Sequence, residues 1–287
     1  MLFRSPQNPK TPKPLATIGS YIIMKHLLKR VYFLTNKRSF VSVVPFVGLA
    51  SMMFYNRQVA YCQEDISDFV TDINGQSSVK YLLSQLRDKN SNTFQFRFFS
   101  DRIMRLLIEE AIQREPKIIE KRQSPTGSSY DHYKLQFKPE DYCAVTIIRA
   151  GDSMIGEVMN LLPGITIGKV LIQRDEESED KRPIMFYSKL PDDIKDKQRV
   201  FILDPMLATG GSVIMCIRKL KEGGVSEDKI TFINLVACEV GLRKLHEEFP
   251  QVRVITAAID PILNDNKYIV PGLGDFGDRY FGSRLPS

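Results

Sequence analysis

The chain has 287 residues, of which 43% are hydrophobic and 26% are charged, and its formal net charge is +6. This composition is ordinary for a globular protein and excludes collagen-like, wholly disordered and disulfide-scaffold classes. Residues 1–63 contain nine Lys or Arg and no Asp or Glu, which leaves 31 basic and 34 acidic residues, a net charge of −3, in residues 64–287. The basicity therefore belongs to the first 63 residues, and a nucleic-acid-binding domain is not expected.

Segment 1–63 has three interpretations that the sequence leaves open. Its acid-free content of Arg, Lys and Ser is typical of an organelle presequence. The uncharged stretch 39–56 could be a membrane anchor, although it is short for a membrane span and contains Pro45 and Gly48. The third interpretation is a disordered extension. We expect a cytoplasmic protein, with the nucleus as a further location. A mitochondrial or membrane-tethered protein is the alternative if this segment directs or anchors it.

Residues 64–76 are predicted to be a linker, and a single domain is predicted over 77–287. The four cysteines are far apart and the chain has three histidines, so neither a disulfide framework nor a protein metal site is predicted. Two helices are predicted first, the second with a possible N-cap at Ser100. Their apolar residues at helical spacing are Val79, Leu82, Leu83 and Leu86, then Ile103, Leu106, Leu107 and Ala111. The polar segment 116–140 is predicted to be a hairpin or an irregular excursion.

Apolar runs then alternate with helical patterns. Strands are predicted at 144–148, 169–172, 200–203, 230–237 and 252–258, and helices at 153–161, 212–222 and 239–249. Gly223 and Gly224 are typical of a helix C-terminus. Near-continuous apolar strands separated by helices indicate an α/β domain, in which helices cover both faces of a mostly parallel sheet.

One strand–loop–helix junction carries the most chemical information. The predicted strand 200–203 ends at Asp204, and a loop of small and hydroxyl residues leads into the next helix. In such sheets the carboxyl ends of the strands form the ligand crevice, and backbone N–H groups at a helix N-terminus bind phosphate. Thr209 and Ser212 add hydroxyl donors. The alternative interpretation is that Asp204, Thr209 and Ser212 only cap the helix.

Four segments resemble type I phosphoribosyltransferases, and the uracil phosphoribosyltransferase family in particular. LDPMLATGGS at 203–212 resembles the signature for phosphoribosyl pyrophosphate (PRPP), with Asp204-Pro205 where most branches carry two acids. IRAGDSM at 148–154 resembles the pyrophosphate loop, and LIQRDE at 171–176 resembles the start of the mobile loop. YIVPGLGDFGDRYFG at 268–282 resembles the uracil-binding segment. Segment 94–112 resembles the corresponding segment of eukaryotic members of the family more than that of bacterial members.

This resemblance implies the type I fold, with a small hood formed partly by the C-terminal segment. It implies transfer of the phosphoribosyl group from PRPP to uracil, giving UMP and pyrophosphate in pyrimidine salvage. The implied catalytic residues are Arg149, Arg174, Asp204 and Asp275. The implied PRPP-binding residues are these four together with Pro205, Met206, Leu207, Ala208, Thr209, Gly210, Gly211 and Ser212. The implied uracil-binding residues are Tyr268, Ile269, Gly274, Asp275 and Phe276.

The resemblance also implies partners and a moving element. Mg²⁺ is expected to arrive with PRPP, bound mostly by substrate oxygens and water. Some members are tetramers activated by GTP; Arg102 matches a GTP contact, whereas Thr93 replaces a basic one. A homo-oligomer, dimer or tetramer, is expected. The polar segment 173–183 is predicted to close over the site or to be an ordinary solvated loop. A non-catalytic nucleotide-sensing or regulatory protein on the same fold is the alternative function.

Overall fold

The computed structural model of the protein describes residues 69–174, apart from the side chain of Arg174, and residues 182–283. The interpretations of segment 1–63 and most of the predicted mobile loop lie outside these residues. Within them, no helix combines the length and apolar character needed to cross a bilayer.

The central feature is a mostly parallel sheet. Its strands are β1 Val70–Asp72, β4 Tyr142–Ile148, β5 Thr166–Arg174, β6 Pro183–Lys189, β7 Arg199–Leu203, β8 Met206–Leu207, β9 Ile230–Cys238 and β10 Arg253–Asp260. They run in the order β1–β10–β9–β7–β4–β5–β6, with β8 alongside β9. Only the edge pair β5–β6 is antiparallel. The five strands predicted from the sequence correspond to β4, β5, β7, β9 and β10.

Helices cover both faces of this sheet, as the sequence predicts. They are α1 Ser77–Arg87, α2 Thr93–Gln113, α3 Ile155–Leu161, α4 Gly211–Glu222 and α5 Glu239–Glu248. A sixth helix, α6 Phe276–Phe281, belongs to the C-terminal segment. Apolar residues of α1, α2 and α3 share one buried cluster with Phe201 and Leu203 of β7. Apolar residues of α4 and α5 share a second cluster with Val200 and Ile202. Because alternate residues of β7 enter opposite clusters, the strand is buried on both faces, which explains its uninterrupted apolar sequence.

Two elements begin earlier than the sequence predicts. Helix α2 starts at Thr93 and not near Ser100, which lies buried inside it. The actual cap is Asn92, whose side chain accepts from the Gln95 N–H while the Gln95 side chain accepts from the Asn92 N–H. The aromatic-rich first turns hide the helical period. Strand β1 lies within the predicted linker, so the sheet begins upstream of residue 77.

Segment 116–140 contains a hairpin, the first of the two predicted options. Its strands β2 Lys117–Gln123 and β3 Ser129–Leu135 are antiparallel. A second small antiparallel pair, β11 Ile262–Leu263 and β12 Ile269–Val270, forms a hood with α6. This hood contains the C-terminal segment, as the sequence predicts.

The fold predicts where a truncation is most costly. Phe201 is fully buried and its ring centroid lies 5.7 Å from that of Tyr142. Replacing Phe201 with Ala should lower the free energy of unfolding by about 3–5 kcal/mol, because the core loses contacts and gains a cavity. Lys80→Ala, on the exposed side of α1, should change it by less than about 0.5 kcal/mol. Urea unfolding followed by circular dichroism measures both; equal losses would contradict this account of the core.

Candidate active site

A cleft of about 360 Å³ lies at the carboxyl ends of the central strands. It is lined by the loop after β4, the loop after β7, the start of α4 and parts of the hood. Of the predicted site residues, the lining contains Arg149, Asp204, Met206, Leu207, Ala208, Thr209, Gly210, Gly211, Ser212, Tyr268, Ile269, Gly274, Asp275 and Phe276. Residues from three distant parts of the sequence therefore meet in one place.

The loop after β7 has the geometry of a phosphate cradle. Gly210 has φ +79°, a left-handed conformation that favours glycine, and α4 begins at the next residue. The first helical hydrogen bond runs from the Ile214 N–H to the Gly210 carbonyl at 3.0 Å. The N–H groups at the start of α4 have no acceptor within the helix, and Gly211, Ser212 and Val213 line the cleft. Such a helix start binds anions.

Helix α5 supports this loop from behind. A Cβ on Gly241, in the first turn of α5, would lie 2.5 Å from the Ala208 carbonyl oxygen and 3.2 Å from the Gly210 nitrogen. Only glycine therefore permits the observed approach of α5 to the loop. Gly241 was not among the residues predicted from the sequence, because a glycine in a helical pattern gives no sign of what it contacts.

Pro205 is buried and its carbonyl faces the sheet, so it lies outside the cleft lining. That carbonyl accepts from the N–H groups of Leu235 and Val236, both at 3.0 Å, and from Asn234 Nδ2 at 3.1 Å. Thr256 Oγ1 in turn donates to Asn234 Oδ1 at 2.7 Å. Pro205 thus anchors the loop to β9 and presents no carbonyl to a ligand. The only sequence signal for this network is an asparagine within the apolar run 230–238.

The loop after β4 is fixed at two points. A Cβ on Gly151 would lie 2.2 Å from the Leu203 carbonyl oxygen, so this loop packs directly against the end of β7. The Asp152 carboxylate accepts from Thr146 Oγ1 at 2.8 Å and pairs with Lys169 Nζ at 2.9 Å. Arg149 precedes this anchored turn and lines the same cleft as Asp204.

The Arg149 guanidinium contacts α6. Nη2 lies 2.5 Å from Asp278 Oδ1, and Nη1 donates to Ser283 Oγ at 2.8 Å. A Cβ on Gly277 would lie 3.2 Å from both Nε and Nη2. Asp275 caps the same helix, since its Oδ1 accepts from the Asp278 N–H at 2.8 Å. Asp278 lies inside the segment 268–282 but was not singled out, because its partner is more than 120 residues away in the sequence.

Arg102 lies on α2, outside the cleft lining, with its guanidinium carbon 5.4 Å from the Phe98 ring centroid. Arg174 ends β5, and the prediction for its side chain lies outside what the structure describes. Lys267, which was not predicted, lines the cleft beside Tyr268.

The described cysteines are unsuited to nucleophilic work. Cys143, Cys216 and Cys238 are free and buried. Burial raises the pKa of Cys143 to about 11 and raises the pKa values of Cys216 and Cys238 above their usual range. These thiols are protonated at neutral pH, so the reactive thiolate is scarce.

A doubly covered parallel sheet with a phosphate loop after β7 and a C-terminal hood over the cleft defines a type I phosphoribosyltransferase. The family model described as uracil phosphoribosyltransferase matches residues 73–283. The chain belongs to the uracil phosphoribosyltransferase family.

Individual proteins agree with this assignment. The chain is 45% identical over 200 residues to uracil phosphoribosyltransferase of Saccharomyces cerevisiae, covering 70% of this chain and 90% of the relative. It is 44% identical over 214 residues to the Dictyostelium discoideum enzyme of the same name, covering 75% and 96%. The solved AQ2163 protein of Aquifex aeolicus matches with a TM-score of 0.64 and 28% identity, over 74% of this chain and 97% of that one.

The close packing at Gly151 provides a test of the site. Gly151→Ala should reduce kcat/KM for phosphoribosyl transfer at least about tenfold. The new methyl group would force the loop that carries Arg149 away from β7, and small displacements of a group that acts on the substrate are costly in catalysis. Gly156→Ala is the matched control, since a Cβ there meets nothing within 4 Å. Steady-state kinetics measure both variants. Equal activities would show that the Gly151 contact does not position the loop.

Proposed function

We propose that the protein transfers the phosphoribosyl group of PRPP to uracil, forming UMP and pyrophosphate. The observation that carries this proposal is the convergence of the phosphate loop, Arg149 and segment 268–277 on one cleft. Family membership supports the same reaction.

The phosphate loop and Arg149 would hold PRPP at its two ends. The N–H groups at the start of α4, with Thr209 and Ser212, suit the 5′-phosphate. Asp204 suits the ribose hydroxyls, because its carboxylate lies at the edge of the same loop. The Arg149 guanidinium suits the leaving pyrophosphate, since guanidinium groups pair well with phosphate oxygens. Arg174 is proposed for the same group on the resemblance of its segment.

Uracil would be recognised mainly by backbone groups of the hood. One edge of uracil presents an acceptor, a donor and an acceptor, which N–H and C=O groups of Ile269 and Gly274–Phe276 can match. The adjacent Tyr268 completes the predicted base-binding set. Cytosine carries an amine donor where uracil has an acceptor, so a fixed N–H would face a second donor. An unpaired buried polar group of this kind gives strong discrimination.

In the proposed reaction the bond from uracil N1 to ribose C1 forms and the bond from C1 to the pyrophosphate oxygen breaks. The bonding pair leaves with pyrophosphate, and the N1 proton is released. Positive charge grows on the sugar and negative charge on the leaving group. The protein would act by positioning and by electrostatic stabilisation, with Arg149 next to the leaving group.

Mg²⁺ is proposed to accompany PRPP and to supply positive charge at the pyrophosphate. Asp204 and Asp275 line the cleft and offer the carboxylate oxygens that Mg²⁺ prefers. Two carboxylates supply too few oxygens to surround an octahedral cation, so substrate oxygens and water would provide most of the ligands.

The assay for this function is UMP formation from uracil and PRPP by the full-length protein with Mg²⁺. Asp204→Asn and Arg149→Ala should each reduce kcat/KM by about 100-fold, because each removes a charged group beside the developing charges. Asp192→Asn and Arg218→Ala, exposed and outside the cleft lining, are the matched controls. Absence of UMP with the folded wild-type protein would overturn the proposal and favour the non-catalytic alternative.

A homo-oligomer, GTP as effector and a cytoplasmic location are further parts of the proposal. Phe94 and Phe98 on α2 are 78% and 50% exposed, and such apolar exposure supports a subunit contact. Arg102 beside Phe98 supports binding of an anionic nucleotide with a flat base. The free thiols of Cys143, Cys216 and Cys238, the cysteines in the described part of the chain, support a reducing compartment.

Light scattering of the full-length protein with and without GTP tests the assembly. The expected mass is that of a dimer or tetramer. GTP should change either this mass or the rate of UMP formation, which is measured in the UMP assay. Arg102→Ala should remove the response to GTP while leaving the basal rate unchanged, because Arg102 is not part of the cleft lining. A monomer that does not respond to GTP would contradict both proposals.

A further inference from the structure

The segment proposed to bind uracil, residues 268–276, has little regular structure of its own. Between β12 and α6 the backbone turns through Gly272 and Gly274, with φ +56° and +79°. Strand β12 has only two residues and pairs only with the equally short β11. Backbone recognition requires N–H and C=O groups at fixed positions, so this segment must be held by contacts from outside it.

One such contact is an ion pair between α1 and β10. Arg87, the last residue of α1, donates from Nη2 to Asp260 Oδ1 at 2.7 Å and from Nη1 to Asp260 Oδ2 at 2.8 Å. Asp260 is the last residue of β10, and its side chain is 5% exposed. Two parallel hydrogen bonds in this partly buried pair fix the relative position of the two side chains.

The same two side chains hold both polar backbone groups of Gly272. The Gly272 N–H donates to Asp260 Oδ2 at 2.9 Å, and Arg87 Nη1 donates to the Gly272 carbonyl at 2.8 Å. A Cβ on Gly272 would lie 2.1 Å from the Ile269 carbonyl oxygen, so the turn is closed tightly here. Gly272 is thus fixed midway between Ile269 and Gly274, which bound the proposed base-reading groups.

Arg279 of α6 ties the neighbouring residue to the same helix end. Its Nη1 donates to the carbonyls of Leu273 and Leu86, both at 2.6 Å. The guanidinium also lies over the Phe96 ring, 4.2 Å from the ring centroid. The end of α1 is therefore linked to two consecutive residues of the turn.

From this arrangement we propose that Arg87 and Asp260 are positioning residues for uracil recognition. Neither residue is part of the cleft lining. They act through Gly272 by fixing the distance between the Ile269 backbone and the Gly274–Phe276 backbone. This inference rests on the proposed function, and it assigns base selectivity partly to α1, which lies outside the cleft lining.

The test compares Arg87→Met, Arg87→Lys and Asp260→Asn with the wild type. In Arg87→Met the KM for uracil should rise at least about tenfold, because charge-assisted hydrogen bonds are among the strongest in proteins. The KM for PRPP and the kcat at saturating uracil should stay close to wild type. Arg87→Lys should give a smaller rise, since an ammonium group keeps the charge but lacks the planar fork.

Arg218→Met is the control for loss of a two-pronged ion pair at the surface. Arg218 also makes a two-pronged pair, with Glu248 at 2.6 and 2.9 Å, but it joins α4 to α5 and lies outside the cleft lining. Its loss should leave the KM for uracil unchanged. A rise in both KM values together, or a fall in kcat with an unchanged KM for uracil, would show a general structural role and overturn the proposal. If Arg87→Met does not fold, the KM values for uracil and PRPP of Arg87→Lys and Asp260→Asn are compared with those of the wild type in the same way.

Hydrogen–deuterium exchange provides a readout that does not depend on activity. Residues 269–276 should exchange faster in the Arg87 variants, whereas α5 should exchange as in the wild type. Unchanged exchange at 269–276 would overturn the proposal that Arg87 and Asp260 fix this segment. A wild-type protein that forms no UMP would instead overturn the proposed function, and the exchange comparison would still decide whether Arg87 and Asp260 hold the segment in place.

Discussion

The cleft depends on how the carboxyl end of β7 is held between its two neighbours. On one side the Pro205 carbonyl accepts three hydrogen bonds from β9, including one from the buried Asn234. On the other side Gly151 packs against the Leu203 carbonyl. These contacts fix the point at which the strand stops, and so they fix Asp204, the phosphate loop and the turn that carries Arg149 relative to one another. A buried backbone carbonyl with satisfied hydrogen bonds tolerates little movement.

The two proposed substrates, PRPP and uracil, would contact different kinds of chemical group in this cleft. At the PRPP side, the groups are backbone N–H groups at a helix start, hydroxyl groups and a guanidinium, all of which favour negative charge. At the hood, the proposed contacts are backbone groups aligned with a flat and neutral ring. The net charge of the domain therefore says little about its ligand, because a few placed donors determine the local preference. This is consistent with an acidic domain that handles a polyanionic substrate.

Local pattern was sufficient for the architecture, because near-continuous apolar runs and helical spacing located the five central strands and the main helices. The proposed site residues came from the resemblance of four segments to a known family, since the junction after 200–203 by itself was also compatible with simple helix capping. Helix α2 shows the limit, since its aromatic first turns concealed its start and its cap at Asn92. The contacts of Arg149 with Asp278 and of Arg87 with Asp260 join residues more than 120 positions apart. No spacing rule within one segment reports such pairs, because they exist only once the sheet has brought the segments together.

Helix α6 has only six residues, fewer than a helix needs to persist by itself in water. Its cap, Asp275, belongs to the proposed uracil-binding segment, and its Asp278 holds Arg149 on the opposite side of the cleft. The order of this short helix therefore comes partly from its own cap and partly from Arg149, a residue far outside the C-terminal segment. A single guanidinium can thus serve two purposes, since it offers positive charge to the cleft and also holds in place the helix next to the proposed uracil-binding residues.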